Sequence, residues 1–522
     1  MKKRLNILNI FVDQQRFDTI HALGNPVIKT PNLDRLVERG VAFTNAFSPS
    51  PVCISARCSM IHGQYPMNTN CYANTTMPTD GRDTFMTALT RNGYRTHGIG
   101  KCHFTPDTHG LRGFQTRERQ EEGGGRMSAL DKNPYLKFLH DKGYTHVIEP
   151  NGVRGEMYYI PQPSQLPAAL HPSQWIGDRA SAFLKEQKGE KQPWFLYASF
   201  IHPHPPFAPP NPWHKLYRAP LMPLPNLPPD YESLQTYVNR CQNRYKYRDQ
   251  GMDLNLLRNI KAHYYACISF VDYQVGRILD TLEQTGQLEN TLILFTGDHG
   301  EHLGDYNCFG KRSMHDSCAR IPMLTALPGV LDGGRTCDTP VNLVDLASTF
   351  LELTKTSLDT HELDGVNLAD IASGSSDRDM VFSQHAYTRR VNIVNREIPL
   401  PVEYMDDPAL EVASMSSHMA VTREWKYIYS APDAQEFLFD KIQDPLETRN
   451  RAGNPFPKDV LQTMKGRLID HLKSGDETAG IDGDQWRVFP ETPPFPKNPD
   501  AGLLIQDGYA PWANMTIPGY ME

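Results

Sequence analysis

Two features that mark membrane and secreted proteins are missing from this sequence. No run of about 18 uninterrupted apolar residues occurs, so we do not expect a membrane-spanning helix. The start, Met1-Lys-Lys-Arg followed by LNILNIFV, looks superficially like a signal peptide, but Asn6 and Asn9 interrupt the apolar run and a small-residue cleavage site is lacking. We interpret residues 5–12 as a buried first strand instead.

The sequence also lacks an excess of positive charge and a cysteine framework. The formal net charge is −7 at pH 7, which gives no indication of a nucleic-acid surface, and the basic cluster Arg244, Lys246 and Arg248 is typical of a solvated face. Nine cysteines, odd in number and scattered, do not form the pattern of a disulfide scaffold. We therefore expect a cytoplasmic protein that binds no nucleic acid.

Length and composition predict two domains. With 522 residues the chain can bury a large core and exceeds the usual size of one domain. Its composition changes near residue 375, beyond which alternating apolar stretches, one helical pattern and a Pro-rich tail follow. We predict a main domain over 1–375 and a small C-terminal α+β domain over 376–522 that includes the tail.

Apolar runs alternate with helical patterns through the main domain. Strand-like runs lie at 5–12, 41–47, 94–100, 194–201 and 291–296. Apolar residues recur at helical spacing at 31–40, after Cys53, at 84–92 and at 254–286. This alternation is typical of an α/β fold with a large, mainly parallel sheet sandwiched by helices.

Polar side chains follow several of these strands directly. They are Asp13 and Gln14 after the first strand, Lys101 and His103 after 94–100, and Asp298 and His299 after 291–296. Each has an ordinary explanation alone, such as a helix cap, but the carboxyl ends of parallel strands meet at one edge of a sheet. Cys53 and Arg57 begin a helix, whose N-terminus favours anions. Together these groups predict a metal and anion site.

Two irregular segments are expected to cover this edge. Residues 119–172 are Gly-rich and polar, and the Pro-dense stretch that follows the strand at 194–201 is expected to form a stiff wall. His204 in that stretch and Lys311 farther on can reach the site. The GGGR segment at 123–126 lacks the lysine and the strand–helix context of a phosphate loop.

The segment around Cys53 has a family resemblance. Cys53-Ile54-Ser55-Ala56-Arg57 resembles the sulfatase signature Cys-x-Pro/Ser-x-Arg, in which the cysteine is oxidised to formylglycine. Other segments match in family order: NILNIFVDQQRFD, PNLDRL, GKxH at 100–103, PHPPF at 203–207, TGDHGEHLGD at 296–305, and Lys311. The chain is thereby identified as a member of the sulfatases of the alkaline phosphatase superfamily. The resemblance implies that fold and an arylsulfatase-type hydrolysis of sulfate monoesters.

The resemblance also implies one divalent metal ion. Its ligands would be Asp13, Gln14, Asp298, His299 and the residue made from Cys53. Many sulfatases have an all-oxygen ligand set that suits calcium. The imidazole of His299 moves the preference toward manganese or a similar metal without excluding calcium.

The catalytic roles are likewise implied by the resemblance. Three cations would bind the sulfuryl oxygens: Arg57, Lys101 and Lys311. His204 or Lys311 would protonate the leaving oxygen, and we favour His204 because imidazole suits a neutral pH. His103 would act on the second hydroxyl of the formylglycine hydrate, so that sulfate is expelled. Asn74 takes the place of an asparagine near the substrate in related hydrolases.

Departures from the family pattern define the alternatives. Ser55 stands where the best-recognised modification motif has proline. The Asp-Gln and Asp-His pairs are similar to those of phosphonate monoester hydrolases and choline sulfatases, which makes phosphonate monoester or phosphodiester hydrolysis the second hypothesis. Lys101 and His103 favour sulfate esters. A third hypothesis is a non-catalytic protein that binds sulfated or phosphorylated ligands.

Two partners and an assembly state complete the expectations. The substrate would be a small sulfate ester, and a formylglycine-generating enzyme would act on Cys53. The apolar and aromatic tail, ending in YAPWANMTIPGYME, is of the kind that covers a subunit interface, so we expect a homo-oligomer.

Overall fold

Strands from both halves of the chain build the frame of the molecule. The computed structural model of the protein describes residues 4–122, 133–154, 157–240, 253–386 and 407–490. Its strands are β1 Asn6–Asp13, β2 Val41–Phe43, β3 Ala46–Phe47, β4 Arg95–Gly100, β5 Thr116–Arg119, β6 Trp194–Pro203, β7 Thr291–Gly297, β8 Met323–Ala326, β9 Arg335–Cys337, β10 Val341–Asn342, β11 Val381–Ala386, β12 Ser416–Val421, β13 Trp425–Ser430, β14 Gln435–Asp440, β15 Ile481–Asp482 and β16 Gln485–Trp486.

Eight of these strands form one sheet with the order β5-β4-β6-β1-β7-β8-β2-β9. β1 runs parallel to both of its neighbours, β6 and β7. β4 is parallel to β5 and β6, and β2 is parallel to β9. Only β8 is antiparallel to its neighbours β7 and β2 within this sheet. The prediction of a large, mainly parallel sheet is confirmed.

The central strand β1 packs against both layers of helices. Ile7 and Phe11 point to one face of the sheet, and Leu8, Ile10 and Val12 point to the other, as the two-residue period of a strand requires. All five side chains are fully buried. Each such side chain stabilises the fold by about 1.5 to 3 kcal/mol relative to exposure. β1 is therefore a rigid base for the residues that follow it.

Helices cover both faces of the sheet. They are α1 Pro31–Arg39, α2 Cys53–His62, α3 Pro66–Thr69, α4 Phe85–Arg91, α5 Pro134–Asp141, α6 Pro172–Glu186, α7 Tyr231–Leu234, α8 Leu254–Gln284, α9 Asp316–Ala319, α10 Asp345–Thr354, α11 Leu368–Ser373, α12 Pro408–Ser414 and α13 Lys458–Ser474. α1, α6 and α8 pack on one face through Leu33, Trp175 and Val275. α2, α4 and α10 pack on the other, where Phe85 and Phe350 are buried. The predicted sandwich is confirmed.

A smaller antiparallel sheet follows the main domain, as expected of an α+β unit. Its order is β11-β12-β13-β14, with every pair antiparallel. α13 packs on it through Leu468, which shares a core with Tyr427 and Leu438. The Pro-rich tail from residue 491 onward lies outside the described residues, and with it the segment on which the expected homo-oligomer rests.

Two local predictions differ from the structure. The strand expected over 41–47 is divided, because β2 pairs with β8 and β9 while β3 pairs with β10. The segment 119–172, expected to be irregular, contains the helix α5, which Asn133 caps by accepting from Leu136 N at 3.1 Å.

Two sequence segments and one predicted absence remain to be considered. The basic cluster of Arg244, Lys246 and Arg248 and the GGGR segment at 123–126 lie outside the described residues. No helix in the described ranges combines the length and the apolarity that a membrane crossing requires.

Gly100, the last residue of β4, allows the close approach of β6. Its φ is +88°, and a Cβ there would lie 2.0 Å from the Ser199 carbonyl oxygen. We predict that Gly100→Ala lowers the free energy of unfolding by about 3 kcal/mol or more, because backbone strain and a backbone clash coincide. Urea unfolding followed by tryptophan fluorescence measures the change.

Gly189 provides the matched control, since its φ is +83° but a Cβ there meets no atom within 4 Å. Gly189→Ala should cost only about 1 kcal/mol, from the left-handed backbone alone. Equal losses in the two variants would show that the approach of β6 to Gly100 does not matter.

Candidate active site

The carboxyl ends of the central parallel strands carry the candidate site. Asp13 ends β1, Asp298 follows β7, Lys101 follows β4, and His204 follows β6. These four residues are at most 2% exposed. The sheet therefore brings together residues up to 285 positions apart (13 to 298) at one buried edge, as predicted from the strand pattern.

Cys53 lies at the centre of this edge, as the first residue of α2. Its Sγ is 3.3 Å from His299 Nε2 and 3.7 Å from Asp13 Oδ1, and it accepts from Lys311 Nζ at 2.8 Å. Burial raises the pKa of Cys53, but the charges of Lys101 and Lys311, with His299 beside them, outweigh it and hold this pKa well below its ordinary value. The environment favours an anion at residue 53.

The side chain of Asn74, from a loop beyond α2, caps the N-terminus of this helix. Asn74 Oδ1 accepts from Ile54 N at 3.0 Å, which satisfies one of the free amides at the helix start. The Ser55 hydroxyl donates to the Cys71 carbonyl of the same loop. The structure thus places Asn74 beside the N-terminus of α2, and its predicted contact with substrate stays a prediction. Ser55 is a structural link between helix and loop.

Asp13, Cys53, Asp298 and His299 form a group suited to a metal ion. One ligand atom of each lies within 4.8 Å of those of the others, and all four residues are buried. His299 Nδ1 lies 3.0 Å from the Gly300 carbonyl, which can only accept, so Nδ1 carries the hydrogen and the Nε2 lone pair faces the group. Two carboxylates and such an imidazole fit a divalent cation.

The two carboxyl groups respond differently to the same burial. Burial and the neighbouring Asp13 raise the pKa of Asp298. Burial and Cys53 also act to raise the pKa of Asp13, but the charges of Lys101 and Lys311 outweigh them and hold it well below its ordinary value. A divalent cation between the two would act to lower both pKa values.

Gln14 has its amide oriented by a buried carboxylate that sequence reasoning did not assign. Its Nε2 donates to Glu301 Oε2, and its Oε1 accepts from Lys311 Nζ at 3.1 Å. Since a carboxylate only accepts, the amide oxygen of Gln14 must turn toward the site. Glu301 also accepts from Tyr159 OH and Leu303 N, both at 3.1 Å. The predicted ligand role of Gln14 stays a prediction.

Arg57 connects the two carboxylates of the site. Its Nε donates to Asp298 Oδ2 at 3.0 Å and its Nη2 to Asp13 Oδ2 at 3.2 Å. Its Nη1 donates to three further groups: the Lys101 carbonyl, Tyr197 OH and Ser199 Oγ. The guanidinium is 1% exposed and lies 4.8 Å from the Phe11 ring centre. Arg57 therefore positions the two carboxylates of the candidate metal group, while its predicted contact with sulfuryl oxygens stays a prediction.

Lys101 lies between two carboxylates, only one of which the sequence indicated. Its Nζ donates to Asp13 Oδ2 and to Glu122 Oε1. Glu122 belongs to the polar segment after β5, and its carboxylate lies within 4.8 Å of Cys53 Sγ and of a His103 ring nitrogen. His103, with φ +55°, is held by backbone donation to Glu121. The structure thus brings the predicted His103 close to Cys53.

His204 faces the same point from the carboxyl end of β6, the strand between β4 and β1. Its Nδ1 lies 2.7 Å from the Pro205 carbonyl, and its Nε2 lies 3.6 Å from Glu122 Oε2. Burial, reinforced by the charge of Lys311, holds the pKa of His204 well below its ordinary value. The pKa of Lys311 is raised instead, because Cys53 and Asp13 outweigh the effect of its burial.

Comparisons with known proteins identify the family of the chain. The family model described as Sulfatase matches residues 5–356. The chain belongs to the sulfatase family. A second model, described as N-sulphoglucosamine sulphohydrolase, C-terminal, matches residues 304–474.

Relatives of this sulfatase extend over most of its length. An arylsulfatase of Clostridium perfringens is 28% identical and covers 92% of this chain and 96% of its own. A choline-sulfatase of Rhizobium meliloti is 30% identical over 86% of this chain and 83% of its own. The fold is similar to that of a phosphonate monoester hydrolase of Agrobacterium radiobacter, with a TM-score of 0.74, 23% identity, and 92% and 98% of the two chains covered. The protein is a sulfuric ester hydrolase of the alkaline phosphatase superfamily.

Several residues of the sulfatase site were missed by sequence reasoning. They are Glu122, Tyr197, Ser199 and Glu301. Tyr197 and Ser199 did carry a signal, because polar side chains two residues apart in a buried strand share one face. Glu301 lay inside a recognised motif without a role. Glu122 follows a segment without periodicity, and only the folded chain shows its position.

The role of Arg57 predicts a large effect on stability. Arg57→Gln leaves two buried carboxylates without their cation, so the free energy of unfolding should fall by about 3 to 5 kcal/mol. Thermal or urea unfolding of the metal-free protein measures it.

Arg35→Gln serves as control, because the Arg35–Asp280 pair is exposed and worth at most about 1 kcal/mol. If the two variants were equally stable, Arg57 would not hold the carboxylates together.

Proposed function

We propose that this sulfatase hydrolyses aryl-type sulfate monoesters, with formylglycine made from Cys53 as the nucleophile. One observation carries the proposal: Cys53 Sγ lies among Asp13, His299 and Lys311. A permanent thiolate would not require carboxylates nearby, since they oppose its negative charge. A hydroxyl of an aldehyde hydrate at this position would lie beside a metal and a cation, where its deprotonation is favoured.

We propose that one divalent metal ion binds to this group. Asp13, Gln14, Asp298 and His299 would hold it, together with the hydrate oxygen of residue 53. The ion would supply Lewis acidity that lowers the pKa of this hydroxyl. Imidazole nitrogen among oxygen donors favours manganese, and calcium is the alternative.

The first chemical step transfers the sulfuryl group to residue 53. A hydrate oxygen attacks sulfur and forms an O–S bond as the bond to the leaving oxygen breaks. Lys101 and Lys311, both buried, would bind the sulfuryl oxygens in a site that excludes water. Arg57 would act by fixing the two carboxylates, and any direct contact with sulfuryl oxygens would add to this role.

The second step releases sulfate. His103 would take the proton of the remaining hydroxyl, whose electron pair forms the C=O bond of the aldehyde as the C–O bond to sulfate breaks. Water then regenerates the hydrate. The position of His103 within 4.8 Å of residue 53 supports this role. An unmodified thiol lacks the second hydroxyl that this step consumes.

The proton donor to the leaving oxygen is His204 or Lys311. We favour His204, whose Nε2 faces the substrate side of the site near Glu122. In the described arrangement burial keeps this imidazole neutral, and an anionic sulfuryl group beside it would restore its basicity. Lys311 is the protonated alternative.

The second candidate is hydrolysis of phosphonate monoesters or phosphodiesters at the same site, as an alternative or a parallel activity. The shared fold with a phosphonate monoester hydrolase and the Asp-Gln and Asp-His pairs support it. These substrates carry one negative charge on a tetrahedral centre, as sulfate monoesters do. The presence of Lys101 and His103 is the reason that we rank sulfate esters above these substrates.

The remaining expectations concern the maturation enzyme and the compartment. We propose that a formylglycine-generating enzyme oxidises Cys53. This enzyme would accept Ser55 at the position where the best-recognised motif has proline. Because Cys53 is 1% exposed, this modification must precede burial of α2. The cytoplasmic location stays a prediction.

Cys53→Ala should reduce hydrolysis of 4-nitrophenyl sulfate to the uncatalysed rate, because the nucleophile is lost. Cys58→Ala is the control, since Cys58 is buried in the same helix but is not part of the metal group. Full activity in Cys53→Ala would contradict the proposal. A higher kcat/KM for a matched aryl phosphonate would make the second candidate the main activity.

The general acid can be identified with leaving groups of different basicity. His204→Ala should lower kcat by about 100-fold for phenyl sulfate but little for 4-nitrophenyl sulfate, whose leaving oxygen needs no proton. Lys311→Ala should lower both equally, because its charge acts on the sulfuryl group. The reverse pattern would assign the proton to Lys311.

A further inference from the structure

Glu122 lies where the substrate anion has to bind. Its Oε1 accepts from Lys101 Nζ, and its Oε2 is 3.6 Å from His204 Nε2. Its carboxylate also lies within 4.8 Å of Cys53 Sγ and of a His103 ring nitrogen. We propose that Glu122 is an internal anion that competes with bound sulfate for Lys101 and thereby speeds product release, an inference that rests on the proposed function.

Competition follows from the space between Lys101 and residue 53. Lys101 is fully buried, and two of its three N–H groups donate to Asp13 and Glu122. The Glu122 carboxylate also lies within 4.8 Å of Cys53 Sγ, so it occupies the space that a sulfuryl group within bond-forming distance of residue 53 must enter. Two anions cannot share it, because like charges in a buried site repel strongly. Glu122 must leave Lys101 when substrate binds.

Arg154 is a second cation partner of the Glu122 carboxylate. Its Nη2 donates to Glu122 Oε2 at 3.3 Å while Glu122 Oε1 accepts from Lys101, and its guanidinium is 5.8 Å from the Tyr158 ring centre. The backbone is held separately, since Asn151 Nδ2 donates to the Glu121 and Glu122 carbonyls at 3.4 Å. Glu122 therefore keeps one cation partner when substrate takes its place at Lys101.

The competing charge affects product more than substrate. A sulfate monoester carries one negative charge, whereas inorganic sulfate carries two at neutral pH. Repulsion from a carboxylate that stays nearby scales with the charge of the ligand. The change in log affinity should therefore be twice as large for sulfate as for the ester. Glu122 thus weakens product binding more than substrate binding, and it also disfavours dianionic phosphate monoesters.

Glu122→Gln tests the inference because it removes the charge and keeps the shape. We expect KM for 4-nitrophenyl sulfate to fall about threefold and the inhibition constant of inorganic sulfate about tenfold, a coupling of ordinary size. Glu118→Gln is the matched control, since Glu118 is on β5 and pairs with Arg179 away from residue 53. It should change neither constant.

A second variant acts in the opposite direction. Arg154→Gln removes the second cation partner of Glu122, so the carboxylate is held by Lys101 more strongly and inorganic sulfate should bind more weakly. Unchanged or weaker sulfate binding in Glu122→Gln would overturn the inference. A lower kcat with both constants unchanged would also overturn it, because Glu122 would then transfer a proton.

Calorimetric titration with inorganic sulfate separates this inference from the proposed function. It measures the anion site without turnover in the wild type and in both variants. If aryl sulfate were not hydrolysed but Glu122→Gln still bound sulfate about tenfold more tightly, the proposed activity would fail and the competition would stand. If hydrolysis were normal and sulfate binding unchanged, only the competition would fail.

Discussion

The whole site depends on the burial of Arg57 between Asp13 and Asp298. These carboxylates end two adjacent strands and are fully buried, so each would be costly without a cation. Arg57 supplies one fixed charge from α2, the same helix that begins with Cys53. A single guanidinium therefore fixes the distance between the strand ends and the nucleophile. The two carboxylates that Arg57 holds together lie beside Cys53 and the His299 imidazole, and these four residues form the group suited to a divalent cation.

The fold and the chemistry are connected through the ends of parallel strands. β1, β4, β6 and β7 stop at one edge, where β1 and β7 deliver carboxylates, β4 a lysine and β6 a histidine. The first residue of α2, Cys53, lies at the same edge. Because these elements are packed on both faces, the groups are pre-organised and move little on binding. Glu122 differs from them, since it sits on a segment outside the regular elements. In our account, it is the part of the site that changes position during turnover.

The central strands and most site residues at their ends could be predicted from the sequence, because both depend on local apolar runs and motifs. The apolar run before Asp13 and the one before Asp298 specify buried strands, and their topology brings the two ends together. Motif residues such as Cys53 and His103 could be placed by resemblance. The contacts of Arg57 could not, because Tyr197 and Ser199 belong to a strand 140 and 142 residues away. The division of β2 from β3 depends on different partner strands, and no local signal specifies it. Glu122 was missed for the same reason.

The central claim is that residue 53 acts as an aldehyde hydrate rather than as a thiol. Mass spectrometry of the tryptic fragment that ends at Arg57, taken from protein that hydrolyses 4-nitrophenyl sulfate, tests it most directly. The account predicts the mass of a fragment in which the CH2–SH group of Cys53 has become CHO, in proportion to the activity of the preparation. A fully active preparation with only the mass of unmodified cysteine would contradict it.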